Sequence, residues 1–233
     1  MSNIDTIIQV ASDLTNTVST ECQRIEDKLN ELELFKAEMA RREKEAWSPY
    51  WRLSRNQIGT VTDGMLDYFS KNSRFPITFE IYKTIKTDRL WEERDQEEQE
   101  ILKAMAKEGI EHLQPEFNVI KMSWNSANVS GSSIDHTFFQ VVYYTTWLTH
   151  ACYAKLVSGE ISGFYFDNIT SEWGLCGTSH HTSKVGYIHP HPYISTESGI
   201  VLFCMLGTIA GRFPLDNSKP EWGYFPYVQR IED

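Results

Sequence analysis

A chain of 233 residues with 41% hydrophobic side chains is long enough for one sizeable core plus an appended helical element, or for two small domains, and its composition excludes a disordered protein. Its net charge of −10, from 32 acidic against 22 basic residues, gives no electrostatic reason to seek phosphate backbones or anionic lipid, so neither nucleic acid nor a membrane is an expected partner. The four cysteines form no CxxC pair, no basic-then-apolar leader opens the chain, and the longest apolar run, Ile200 to Ala210, is about half of what a spanning helix needs, which together predict an intracellular protein, cytoplasmic or nuclear.

Ile4, Ala11, Val18, Ile25, Leu32 and Met39 recur every seven residues, and Ile8, Thr15, Cys22, Leu29 and Lys36 fill the second seam position. This 3.5-residue spacing predicts a coiled-coil helix over residues 1–46 that joins copies of the chain through residues 4–43. With the first series at d and the second at a, Glu26 and Glu33 fall at e, and Glu21 and Lys28 at g. Ile7, Leu14 and Phe35 widen the stripe toward three or more strands, or toward a partner protein that completes the bundle. The alternative is a long amphipathic helix lying on its own globular domain. Ser48-Pro49 biases the chain away from helical geometry, so the helix is expected to end near Trp47.

Residues 47–114 read as a helical region. One helix is predicted around Met65, Leu66 and Phe69, another after Pro76 with Ile77, Ile81, Tyr82 and Ile85, and a Glu- and Gln-rich surface helix from Asp88 toward Gly109. From Pro115 onward charged residues thin out and aromatic ones gather, in short apolar runs broken by Gly, Ser, Asn and Pro. That texture predicts a mainly β domain over residues 115–233, with strands at Phe117–Trp124, Thr137–Thr146, Ile161–Phe166, Val185–Ile188, Ile200–Ile209 and Gly223–Ile231. One helix is expected within it, from Trp147 to Ser158, closed by Gly159. The fold class is therefore α+β.

Three segments carry a resemblance. A strand runs into Val142-Tyr143-Tyr144-Thr145-Thr146 and is followed by the predicted helix; Val185-Gly186-Tyr187-Ile188 holds a Gly-Tyr pair; Pro220-Glu221-Trp222 opens the last strand. In order and spacing, over about residues 138–233, these resemble the ADP-ribosyltransferase fold of the poly- and mono-ADP-ribose polymerases. The resemblance implies NAD as cofactor, with Tyr144 and Thr145 against the ribose, Tyr187 stacked on the nicotinamide ring and Glu221 polarising a ribose hydroxyl. Where active members have histidine followed by glycine, this chain has Tyr144 followed by Thr145, a change that points to binding without turnover.

A second constellation lies in the same half. Cys176 and His180 form a Cys-x3-His pair, followed by His181 and by His189 and His191 as His-x-His, and imidazole with thiolate is a donor set that zinc accepts. Pro190 and Pro192 alternate with the last two histidines and favour an extended loop with solvated imidazoles instead. Two functions follow from the sequence: an oligomeric protein whose transferase-like domain either modifies a target with ADP-ribose, as an NAD-dependent ADP-ribosyltransferase, or binds a nucleotide-like ligand without turnover; or a structural or assembly protein, cellular, viral or of a mobile element, in which the coiled coil sets stoichiometry and the aromatic-rich domain packs against protein partners. No Walker A loop, Gly-x-Ser-x-Gly elbow or His-Glu-x-x-His motif is present.

Overall fold

The computed structural model describes residues 3–46, 50–71, 76–125, 135–142, 147–181 and 187–227. They divide into two compact units, Met1–Pro49 and Tyr50–Asp233.

The first unit is one α-helix, α1 (Asn3–Ala46), which stops one residue before the expected end. Its sequence contains neither glycine nor proline, and Asp5 places an acid in the first turn, where it complements the helix dipole. The hydroxyls of Thr15, Thr17 and Thr20 each donate to the carbonyl four residues back at 2.8 Å, so these weak helix formers satisfy themselves within the helix. The apolar stripe is open to solvent, with exposure from 68% at Ile4 to 48% at Leu32.

The second unit is built on a five-stranded antiparallel sheet. Its strands are β1 (Ile77–Ile85), β2 (Phe117–Asn125), β3 (Trp147–Ser158), β4 (Gly174–His181) and β5 (Ser198–Ala210), in the spatial order β4-β3-β5-β2-β1. Both faces are covered. On one, Phe79, Ile120, Met122, Cys152, Ala154 and Phe203 pack against Leu66, Phe138, Tyr165 and Phe166 from the flanking loops. On the other, Val119, Tyr153, Leu202 and Cys204 pack against Trp222 and against Ile101 and Leu102 of the helix α2 (Gln96–Ala104). Asp95 caps α2 by accepting from the Glu98 amide at 3.0 Å. Short two-residue ladders complete the unit: Val61–Thr62 with Met65–Leu66, Ser70–Lys71 with Phe138–Phe139, and Tyr193–Ile194 between Asp135–His136 and Ile161–Ser162.

Several expected helices are strands. Ile77–Ile85 is β1, in which Ile77 and Phe79 are buried while Thr78 and Glu80 are exposed, and a bulge between Ile81 and Lys83 leaves Ile81 exposed and sends Ile77 and Ile85 into different core clusters. Met65–Leu66 belongs to a hairpin, and the expected helix over Asp88–Gly109 is a single 3-10 turn, Trp91–Glu93, followed by α2. The expected helix Trp147–Ser158 is β3, whose buried run from Leu148 to Ala154 has no period because both faces are covered. Gly159 closes it, with a positive φ of 79° and so near the Ser198 carbonyl that a side chain would collide.

Phe117–Asn125 and Ser198–Ala210 stand where strands were expected. Ile161–Phe166 is a two-residue strand and a 3-10 turn, and Tyr227 makes only an isolated bridge to Arg52. Strand β4 was not expected at all. No helix among the described residues is long and apolar enough to cross a membrane.

Candidate functional site

The polar centre of the β domain is a histidine and tyrosine cluster on the first-named face of the sheet. His150 on β3 is fully buried, and its Nδ1 shares a 2.8 Å hydrogen bond with Thr208 Oγ1 on β5. The Tyr165 hydroxyl lies 2.9 Å from the same Thr208 oxygen. Ser54 Oγ accepts from the Thr208 amide at 2.8 Å. A β-bulge makes this meeting possible. The pairing of β5 with β3 shifts between Cys204 and Gly207, and Met205 takes a φ of 53°. Before the bulge Val201 and Phe203 face this side; after it Leu206 and Thr208 do, so one extra residue brings Thr208 to His150.

His180 on β4 stacks on His150 with centroids 4.8 Å apart, and the Phe164 ring lies 5.3 Å from His150 and 5.7 Å from both His180 and His191. The Nε2 atoms of His150 and His180 are buried and find no hydrogen-bond partner among the described residues. Burial, reinforced by the neighbouring His180, holds His150 well below the ordinary histidine pKa, and burial also lowers His180. Both imidazoles are neutral near pH 7.

The zinc-type donor set is placed as follows. Cys176 is buried, its thiol 3.5 Å from the Gly174 carbonyl, and burial pushes its pKa up to about 12, which disfavours the thiolate a metal would take. His189 stacks on Phe139 at 4.9 Å and His191 lies 5.2 Å from Tyr193. Among the described residues no group of three or more His, Cys, Asp or Glu is arranged to hold a metal ion. The histidine that His180 does meet, His150, was missed by sequence reading because its segment was read as a helix.

Of the transferase-type residues, Tyr144 and Thr145 lie outside the described residues, as do Val185 and Gly186. Tyr187 is half exposed, with its ring 5.3 Å from His189, and the adjacent Ile188 exchanges backbone hydrogen bonds of 2.8 and 2.9 Å with Val142. Glu221 is exposed and forms a 3.3 Å ion pair with Lys219, while its neighbour Trp222 anchors the segment by donating to the Met205 carbonyl at 2.9 Å. The helix that should follow Tyr144 in a transferase is strand β3, so that element of the resemblance does not carry over.

A surface cleft of about 380 Å³ is lined by Lys103, Thr170, Trp173 and Asn217 among others. Its polar groups are mutually satisfied: Asn217 exchanges two hydrogen bonds with the Leu175 backbone, and Trp173 donates to Glu97 at 2.8 Å. The chain matches no family model and no curated protein.

Proposed function

We propose that the chain is an assembly protein, in which α1 of several copies packs into a coiled coil and each copy carries a β domain that engages a partner by binding rather than by turnover. The observation that supports this most is the open seam of α1. Ile4, Ile8, Val18, Ile25, Leu29 and Leu32 are all 48–68% exposed along a helix of 44 residues, and from Ile4 to Leu32 they make about 42 Å of apolar stripe.

A second copy is the occupant that fits, because a seven-residue period lets identical helices keep their seams together along the whole length. The two polar seam residues are compatible with that packing. Thr15 turns its hydroxyl back to the Ala11 carbonyl at 2.8 Å, and Lys36 is drawn to Glu33 at the seam's edge at 3.0 Å. The binding role of the β domain rests on its interior, where the polar groups around His150 are sealed from solvent and suited to fixing a fold.

Sedimentation of the full chain and of an Ile25→Glu, Leu29→Glu variant tests this reading. The parent should run as an oligomer and the variant as a single chain; a parent that runs as a single chain at micromolar concentration would sink it. Oxidative cross-linking of Ile8→Cys in a Cys22→Ser background reports strand direction, since Cys22 is an exposed free thiol of the same seam and position 8 meets its own copy only in a parallel, in-register bundle.

A further inference from the structure

Among the described residues β4 is an edge strand of the five-stranded sheet, paired with β3. Its outward backbone groups are bonded to amides. The Leu175 amide donates to Asn217 Oδ1 at 2.7 Å, and the Leu175 carbonyl accepts from Asn217 Nδ2 at 3.0 Å. Further along the same edge, the Gly177 amide donates to the backbone carbonyl of Asp167 at 2.9 Å. The exchange at Leu175 is the one that a directly opposed residue makes in an antiparallel ladder, with a side-chain amide standing where a neighbouring strand's peptide group would be. Asn217 itself is exposed, on a loop turned by the Asp216 carboxylate, which accepts from the Ser218 amide at 2.8 Å.

The surface cleft of about 380 Å³ opens at this edge. Leu175 lines it together with Ala104 and Trp173, which pack on the Trp222 face of the sheet, and with Asn168 and Thr170, which flank Ile169 on the Phe138 face. The cavity is thus lined by the edge strand itself and by residues from both covering layers, the position in which a further strand would continue the sheet. The Leu175 side chain is buried on the Trp222 face. A residue directly opposite it would turn its side chain the same way, toward Trp173 and Ala104, and the residues on either side would turn theirs toward Asn168 and Thr170. Such a site favours an apolar residue opposite Leu175 with polar neighbours.

On the reading of the β domain as a binding module, we propose that the cleft is a strand-addition site, at which an extended segment of a partner protein pairs with Leu175 in place of the Asn217 amide. The chemistry of the occupant follows from what the edge already holds, an amide that both donates and accepts. Exchanging the two hydrogen bonds of Asn217 for two from a backbone leaves the hydrogen-bond count even, so affinity comes from the apolar side chain set against Trp173 and Ala104, and selectivity from the alternation. Until then Asn217 keeps the edge from pairing indiscriminately.

The test is a calorimetric titration of the full chain at pH 7 with the peptide acetyl-Val-Thr-Val-Thr-Val-amide. Asn217→Ala removes the competing amide, so its half-saturating concentration should be about tenfold lower than the parent's. Asn217→Asp keeps the size and turns a second acceptor toward the Leu175 carbonyl; it should shift the titration the same way, and it serves if the alanine variant does not fold. Methylating the nitrogen of the central valine should abolish binding, because the Leu175 carbonyl accepts from that N–H. The peptide should also slow hydrogen exchange over β4 in the variants. Equal half-saturation in the parent and both variants, an undiminished response to the methylated peptide, or unchanged exchange over β4 overturns the proposal. So does an Asn217→Ala chain that sediments as a larger assembly than the parent, which makes the occupant the β4 of a second copy. A parent that sediments as a single chain yet binds the peptide sinks the coiled-coil reading and leaves this one standing; an oligomeric parent whose variants ignore the peptide does the reverse.

Discussion

Acid should weaken the β domain well above the range in which carboxylates titrate, and His150 should be the reason. In the folded state its imidazole is fully buried, hydrogen-bonded among the described residues through Nδ1 to Thr208, and stacked on a second imidazole, so burial, reinforced by that neighbour, holds its pKa well below the ordinary value of 6.5. The groups facing it are Thr208 and Tyr165, the Phe164 ring and His180, none of them an anion. The unfolded chain therefore takes up a proton near pH 6.5 that the folded chain refuses, and stability falls as pH drops below that point, by about 1.4 kcal/mol per pH unit. That slope holds over each pH unit in which the folded imidazole stays neutral, and it counts against a typical domain's roughly 5–15 kcal/mol. His180 adds to the loss in the same direction, though solvent reaches part of it. Urea unfolding followed by tryptophan fluorescence, at steps from pH 7.5 to 5.0, measures the slope. A His150→Gln variant retains a partner for Thr208 and cannot titrate, so the stability gap between parent and variant should shrink steadily below pH 6.5. Parallel pH profiles for the two proteins would refute the argument.

Three further outcomes follow from packing and charge. Gly199→Ala should cost more than about 3 kcal/mol or prevent folding, because the Trp124 indole occupies the space a Cβ would take; circular dichroism melts give the answer. Glu98→Gln should destabilise by about 3 kcal/mol in urea titrations, since it leaves the Arg94 side chain, 0% exposed, without the carboxylate that lies 3.9 Å from it. An unhydrolysable NAD analogue at millimolar concentration should leave the unfolding midpoint unchanged, and a rise of more than about 2 °C would favour the nucleotide-binding reading instead.

The parts of the fold legible in the sequence are those with one unambiguous period. The heptads of α1 could be nothing but a helix, and Phe117–Asn125 and Ser198–Ala210 are apolar runs long enough for a strand. The misread segments share a physical cause. Ile77, Ile81 and Ile85 are spaced by four, which imitates a helical face, yet the bulge after Ile81 breaks that face, and the β-branched and aromatic content of ITFEIYKTI was the discriminating signal. Trp147–Ser158 lies in the middle of a sheet covered on both faces, so alternation is erased and only its length was left to judge by. The candidate sites suffered from the same errors. Once β3 is a strand, His150 sits beside His180 on its neighbour β4, while His189 stacks on Phe139 and His191 lies against Phe164 and Tyr193. Leu175 and Asn217 are too far apart in the chain for any local pattern to connect them.

The bulge at Met205 decides which residues meet, and Thr208 is where its effect can be measured. A strand without the extra residue would turn position 208 toward the Trp222 side of the sheet and leave the His150 Nδ1 and the Tyr165 hydroxyl facing only apolar neighbours. As built, one hydroxyl serves both groups, at 2.8 and 2.9 Å. Thr208→Val has the same shape and removes that hydroxyl, so two buried polar groups lose their shared partner at a cost of about 1–3 kcal/mol each. Thr208→Ser keeps the hydroxyl and loses a buried methyl group, for about 1 kcal/mol. The valine variant should therefore be the less stable of the two by at least about 1 kcal/mol in urea unfolding at pH 7.5, where His150 is neutral in both folded and unfolded states. If the serine variant proves equal or worse, the cluster is held by packing alone, and the bulge serves the shape of the sheet rather than the pairing of its polar centre.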